Sequence, residues 1–260
     1  MIDIHCHTLP FLDDGAKNWD ISLRMARMAF DDGIRECITT PHWTGRREDA
    51  DVARARLEEF RGRLAVEGIT LQAHPGNEVI LIPSLVEALR EGWALTLGGT
   101  KYVLLETAQL EHGPFNRAAI FQIQSSGYRV ILAHPERVPS WEKDLTGLRE
   151  LVNAGCYLQV NAMSILGGFG KGPRAAVEQF LKLGWVSLLA SDAHSAESRP
   201  PLVSAALEAC ASWIGGEAAD DLVTSNPARV LKNQLLPYVD ADPLPPKRRF
   251  SFPWPFGRRD

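Results

Sequence analysis

The sequence predicts an α/β fold whose parallel strands close, or nearly close, into a barrel. Seven short apolar runs, many of them β-branched, recur at Met1 to His5, Ile34 to Thr39, Ile69 to His74, Tyr102 to Glu106, Arg129 to His134, Cys156 to Asn161 and Val186 to Ser191. The segments between them carry helical spacing, and strands that alternate with helices build parallel sheets. A doubly wound open sheet satisfies the same alternation, but this many similar units favours a barrel. No linker interrupts residues 1–236, which read as one domain.

Each element has a local reason. Ile21, Met25, Met28 and Ala29 share one face of a first helix, with Asn18-Trp19-Asp20 as its start and Gly33 as its stop. Gly68, Gly127, Gly155 and Gly184 each fall just before a later strand run, as helix C-caps do. Residues 237–260 differ in character, with six prolines and five Lys or Arg. That composition predicts a disordered tail. A sharper reading gives Lys247, Arg248 and Arg249, with Phe250, Phe252, Trp254 and Phe256, a role in docking on a kinase or an anionic membrane face.

At 260 residues, with 45% hydrophobic and 23% charged side chains, the chain can bury a sizeable core. A net charge of −4 gives no reason to expect nucleic acid as a partner. The longest apolar runs, Tyr102 to Leu105 and Val186 to Ala190, are far shorter than a membrane span. Asp3 and His5 interrupt the N-terminus and no basic segment precedes an apolar one, so no signal peptide is expected and the protein is placed in the cytoplasm. Cys6, Cys37, Cys156 and Cys210 form no C-x-x-C pair and read as free thiols, Cys37 and Cys156 as buried small hydrophobes.

Histidines and carboxylates concentrate where the strand runs end. His5 and His7 close the first, His42 follows the second, His134 ends the fifth and His194 follows the seventh. Asp14, Glu78, Glu106 and Asp192 join them in D-D-G-A, G-N-E-V, L-L-E-T and S-D-A-H. In a parallel barrel the C-terminal strand ends share one face. A lone H-x-H or strand-end histidine is weak evidence; nine such side chains from six units imply two or three ions bridged by carboxylates. Imidazole and oxygen ligands suit Mn, Fe, Zn or Mg. His74 reads as a structural or rim residue and His112 as a solvated loop residue.

In order, D-I-H-C-H, D-D-G-A, T-P-H, G-N-E-V, L-L-E-T, H-P-E-R and S-D-A-H resemble the polymerase and histidinol phosphatase superfamily. Within it the chain is similar to the bacterial manganese-dependent protein-tyrosine phosphatases of capsule and exopolysaccharide operons. Asp14 and Glu106 support that subgroup, because polymerase-type and histidinol-phosphatase-type members often carry histidine there. The tail lies outside the resemblance. The resemblance implies a distorted (β/α)7 TIM-like barrel with up to three ions, Mn2+ foremost and Fe or Zn as alternatives. It implies that His5, His7, Glu78 and Asp192 hold the first ion. Glu78 bridges to a second, completed by Glu106 and His134, and Asp14, His42 and His194 hold the third. Strand alternation then puts His5 and His7 on the metal face with Asp3, and Cys6 behind the strand with Ile2 and Ile4.

Such a site lowers the pKa of bound water and supplies hydroxide for phosphomonoester hydrolysis. Arg137 and Arg199, just beyond strand-end ligands, read as a phosphate clamp. His42 or His194 offers a proton relay as an alternative to the role of neutral ligand. A cysteine phosphatase is excluded: after five intervening residues from Cys6, Cys37, Cys156 and Cys210, where arginine is required, stand Leu12, Trp43, Ala162 and Gly216. The expected substrate is a phosphotyrosine protein, a bacterial tyrosine kinase in polysaccharide export. The competing readings are a histidinol-phosphatase-like small-molecule phosphoesterase on the same metals and a metal-stabilised docking module without turnover.

Overall fold

In the computed structural model, the described residues are 1–107 and 114–241. The strands are β1 (Ile2–Cys6), β2 (Glu36–Thr39), β3 (His42–Trp43), β4 (Gln72–Pro75), β5 (Glu78–Val79), β6 (Tyr102–Glu106), β7 (Arg129–Ala133), β8 (Tyr157–Asn161) and β9 (Val186–Ala190). All pairings are parallel, in two strips ordered β1-β2-β4 and β3-β5-β6-β7-β8-β9. β3 and β5 prolong the second and third strand runs after breaks at Thr40-Pro41 and Gly76-Asn77. Thr40 donates to the Cys6 carbonyl and Glu78 to the Thr40 carbonyl, which joins the strips. Beyond β9, Asp192 N–H donates to His5 O and His7 N–H to Ala193 O, closing the ring. Asp3 reinforces this closure by accepting from the N–H and hydroxyl of Ser191. Seven strand positions thus form a closed, distorted barrel.

The helices are α1 (Trp19–Asp31), α2 (Asp49–Val66), α3 (Leu85–Glu91), α4 (Pro114–Ser125), α5 (Pro139–Lys143), α6 (Thr146–Asn153), α7 (Ala162–Ile165), α8 (Lys171–Lys182), α9 (Ser204–Ile214), α10 (Gly216–Asp221) and α11 (Ser225–Leu231). Asn18 caps α1 by accepting from Ile21 N–H at 2.9 Å. Several strands start later than their apolar runs. After Gly33, Gly68, Gly155 and Gly184, all at positive φ, the next N–H turns back to a carbonyl of the preceding helix. Ile34, Ile69 and Cys156 are therefore the apolar partners of helix caps, not first strand residues, and Trp185, just before β9, makes the same bond.

Alternation along the strands divides the core. Ile4, Ile38, Leu104, Ile131, Ala133, Leu188 and Ala190 cluster inside the barrel, while Cys37, Val103, Leu105, Leu132, Val160 and Leu189 pack outward under the helices. β1 departs from strict alternation, because Asp3 pairs with Cys37 and Cys6 with Thr39, three steps against two. This β-bulge corrects the sequence reading: Ile4 faces the interior, and only Cys6 of that set packs outward. Of the segment assigned to the tail, Ala241 is buried and its N–H donates to Asn153 Oδ1. Residues 242–260 and His112 lie outside the described residues. Among the described residues no helix is long and apolar enough to cross a membrane, and the four cysteines are buried and free.

Candidate metal centre

All nine side chains singled out in the sequence converge at the C-terminal mouth. At its centre, His5 Nε2 and His7 Nε2 lie 3.1 Å apart, and each is 3.4 Å from Glu78 Oε2. Asp192 Oδ1 is 3.4 and 3.6 Å from the same two nitrogens. His5, His7 and Glu78 form one compact group, and Asp192 forms another with His5 and His134. Glu78 Oε1 contacts His134 Nε2 at 2.9 Å, and Glu106 Oε2 is 3.8 Å from that nitrogen. On the other side, Asp14 Oδ1 is 3.3 Å from both His42 Nε2 and His194 Nε2. Four overlapping groups among the described residues are each compact enough for an ion: His5, His7 and Glu78; His5, His134 and Asp192; Glu78, Glu106 and His134; and His7, Asp14, His42 and His194.

Surrounding hydrogen bonds turn the imidazoles towards these centres. His7 Nδ1 meets Asp13 Oδ2 at 2.7 Å, His5 Nδ1 donates to Gln159 Oε1 at 2.9 Å, and His194 Nδ1 donates to the Asp192 carbonyl at 2.9 Å. With its proton on Nδ1, each ring presents the Nε2 lone pair to the cluster. Gln159 donates onward to Asn161 Oδ1, and Asn161 Nδ2 donates to Asp192 Oδ2. One amide chain thus orients a histidine and a carboxylate of the same group. His134 and Asp192 also adopt left-handed backbone, φ 36 and 51, which turns them into the mouth at the strand ends.

The donor set fits divalent cations. Asp192 Oδ1 is buried without a hydrogen-bond partner, an arrangement that costs free energy unless a cation meets it, and Glu78 Oε2 is buried against nitrogens of His42, His5 and His7 at 3.0, 3.4 and 3.4 Å. Although burial opposes it, His5 charge and bonds from His134 and His42 hold the Glu78 carboxyl well below the usual range. Burial would lower His7, but Asp13 and Glu78 raise it to about 10. Burial lowers His194 to about 4. Cations take the place of such protons when ligands bind them.

Arg137 Nη1 donates to Asp192 Oδ2 at 3.4 Å and Arg199 Nη2 at 2.6 Å. Arg199 is returned to the mouth by a closed turn: its carbonyl accepts from His194 N–H, and its N–H donates to Ser195 Oγ at 3.0 Å. Its Nε–H is buried and unpartnered. His74 stands apart, paired with Glu36 at 2.9 Å. Sequence reasoning missed Asp13, Gln159 and Asn161. Asp13 adjoins Asp14 in D-D-G-A, and Q-x-N at the end of β8 repeats the period-two signal of H-x-H with amides in place of ionisable side chains.

Two substitutions probe this frame. A Cβ on Gly15 would lie 2.2 Å from the His7 carbonyl oxygen. Gly15→Ala should displace Asp13 and Asp14 and weaken metal binding about 10–100-fold; undiminished affinity by metal titration would refute this. Cys6, 1% exposed, points away from the mouth and donates to Ile38 O. Cys6→Ala should cost about 1 kcal/mol of stability, with metal content by mass spectrometry and turnover both preserved.

A family model for capsular polysaccharide synthesis, CpsB/CapC, matches residues 1–232. The tyrosine-protein phosphatase YwqE of Bacillus subtilis (strain 168) is 34% identical, over 97% of this chain and 99% of that protein. The tyrosine-protein phosphatase CpsB of Streptococcus pneumoniae is 27% identical over 91% of this chain and 100% of that protein. A chain from the crystal structures of these two proteins, described as unique metal-dependent tyrosine phosphatases, matches with TM-score 0.88 and 32% identity, over 94% of this chain and 100% of that one. D-hydantoinase, at 12% identity and TM-score 0.53 over 88% of this chain and 70% of its own, shares the fold alone. The chain belongs to the CpsB/CapC family of capsular polysaccharide synthesis.

Proposed function

We propose that this chain is a metal-dependent phosphotyrosine-protein phosphatase. It acts in the cytoplasm on a bacterial tyrosine kinase that governs capsular or exopolysaccharide synthesis, with manganese as its metal. The observation that carries the reading is the meeting, at one mouth, of overlapping groups of histidines and carboxylates with a buried, unpartnered arginine N–H. The relatives named tyrosine-protein phosphatases support the substrate class.

His5, His7, Glu78 and Asp192 would hold one ion, Glu78, Glu106 and His134 a second, and Asp14, His42 and His194 a third. When bound, the ions lower the pKa of water and neutralise charge on phosphate oxygens. Arg137 and Arg199 grip the phosphoryl oxygens, Arg199 through the Nε–H that has no partner within the chain. A cavity of about 100 Å³ lined by Glu106, Thr107, His134, Arg137 and Val138 lies beside the second group. His194 serves as a ligand, because its Nδ1 proton is committed to the Asp192 carbonyl. A phenolate leaving group, with parent pKa about 10, needs less protonation than an alkoxide.

The test is turnover of phosphotyrosyl peptides by purified protein with Mn2+. Activity should vanish with EDTA, and kcat/KM should exceed that for histidinol phosphate. Turnover that survives chelation, or a preference for histidinol phosphate, would overturn the reading.

A further inference from the structure

The segment Leu166–Gly170, between α7 and α8, supplies no metal ligand, yet it sets an aromatic ring against both arginines. Gly170 N–H donates to the Gly167 carbonyl at 3.0 Å, closing a turn with Gly168 and Phe169 at its centre. Gly167 and Gly170 have φ of 83 and 98, and a Cβ on Gly168 would lie 2.5 Å from Met163 Cγ. Glycines on both sides let the turn press against α7. Phe169 is the one residue of that turn with a side chain. Its half-buried ring centroid lies 4.6 Å from Arg137 Cζ and 5.7 Å from Arg199 Cζ. Arg137, Phe169 and Arg199 follow β7, β8 and β9 respectively, so the ring stands between groups from the two flanking units.

Both guanidiniums donate to the same oxygen, Asp192 Oδ2. Two like charges drawn to one acceptor repel each other, and each long side chain loses rotamer freedom when it is held still. An aromatic ring within about 6 Å attracts each cation through its quadrupole and offers a flat, rigid surface for both. We propose that Phe169 is a positioning residue for the phosphate clamp. Its ring holds Arg137 and Arg199 together over Asp192, leaving their remaining N–H groups ready for the phosphoryl oxygens. This rests on the proposed reading of the two arginines as phosphate ligands.

The experiment compares F169A, F169L and F169W in the metal-loaded full chain, with phosphotyrosyl peptide as substrate and inorganic phosphate as competitive inhibitor. F169A and F169L should raise both KM and the inhibition constant of phosphate by about five- to thirtyfold. F169W, which keeps a π-face, should restore them, and metal content should match the unmodified chain throughout. Combined with R199A, F169A should add less than its own full effect, because the ring has one cation fewer to hold. An unchanged phosphate constant in F169A, recovery by F169L, full additivity or lost metal would each overturn the inference. If R137A and R199A themselves leave phosphate inhibition and turnover intact, the clamp reading fails. If they impair both while F169A does not, only the role of Phe169 is lost.

Discussion

Glu78→Gln should abolish turnover and strip most of the metal, because one carboxylate belongs to two of the groups and touches a histidine of a third. Its Oε1 lies 2.9 Å from His134 Nε2, and its Oε2 lies 3.4 Å from His5 and His7 Nε2 and 3.0 Å from His42 Nδ1. Glutamine preserves the shape but removes the negative charge and replaces one acceptor oxygen with an NH2 group, which donates and does not ligate. The bridge between groups is then lost, while five histidines remain crowded around the mouth. A cluster of ions contributes several kcal/mol to the transition state. At about 1.4 kcal/mol per tenfold in rate, turnover should fall by about three orders of magnitude or more. Metal content measured by mass spectrometry should fall with it, while circular dichroism shows the fold retained. Full metal content together with turnover within tenfold of the parent would remove Glu78 from the centre of the mechanism.

The distribution of ligands explains why so much of this site is legible in sequence. Parallel strands share a direction, so residues that end separate strands end at one mouth, and a tally of strand-end histidines and carboxylates amounts to a coarse map. What escapes is whatever depends on contacts between units. The bulge in β1 cannot be read from alternating residues, because it is defined by pairing with β2; it leaves Ile4 inside while His5 and His7 still reach the mouth. At the end of β8 stand amides, Gln159 and Asn161, not ionisable side chains, so a tally of histidines and carboxylates does not mark them, although they tie His5 to Asp192. The apolar residues after Gly33, Gly68 and Gly155 resemble strand starts in composition, and only their hydrogen bonds back to the preceding helices identify them as cap partners. Phe169 is the extreme case: it lies 32 and 30 residues from the arginines it touches, and nothing local marks it.

Arg199→Lys should impair catalysis nearly as much as Arg199→Ala, and the reason lies in geometry rather than charge. Arg199 already commits Nη2 to Asp192 Oδ2 at 2.6 Å, while its Nε–H is buried with no partner. A guanidinium can hold the carboxylate with one arm and a phosphoryl oxygen with another, since its donors form a rigid planar fork. A lysine ammonium is a single point charge on a flexible stem, so satisfying Asp192 draws it away from the phosphate. A hydrogen bond to a charged group is worth about 1.5–3 kcal/mol. The loss of the phosphate arm should therefore lower kcat/KM for a phosphotyrosyl peptide by about ten- to a hundredfold. Arg199→Ala should fall somewhat further, because Asp192 Oδ2 then keeps only Asn161 at 2.6 Å and the longer contact from Arg137 at 3.4 Å. Metal content should stay near the parent value in Arg199→Lys, which separates a clamp from a ligand-supporting role. Near-normal kcat/KM in the lysine variant would mean that charge alone suffices, and the buried Nε–H would then have no part in binding phosphate.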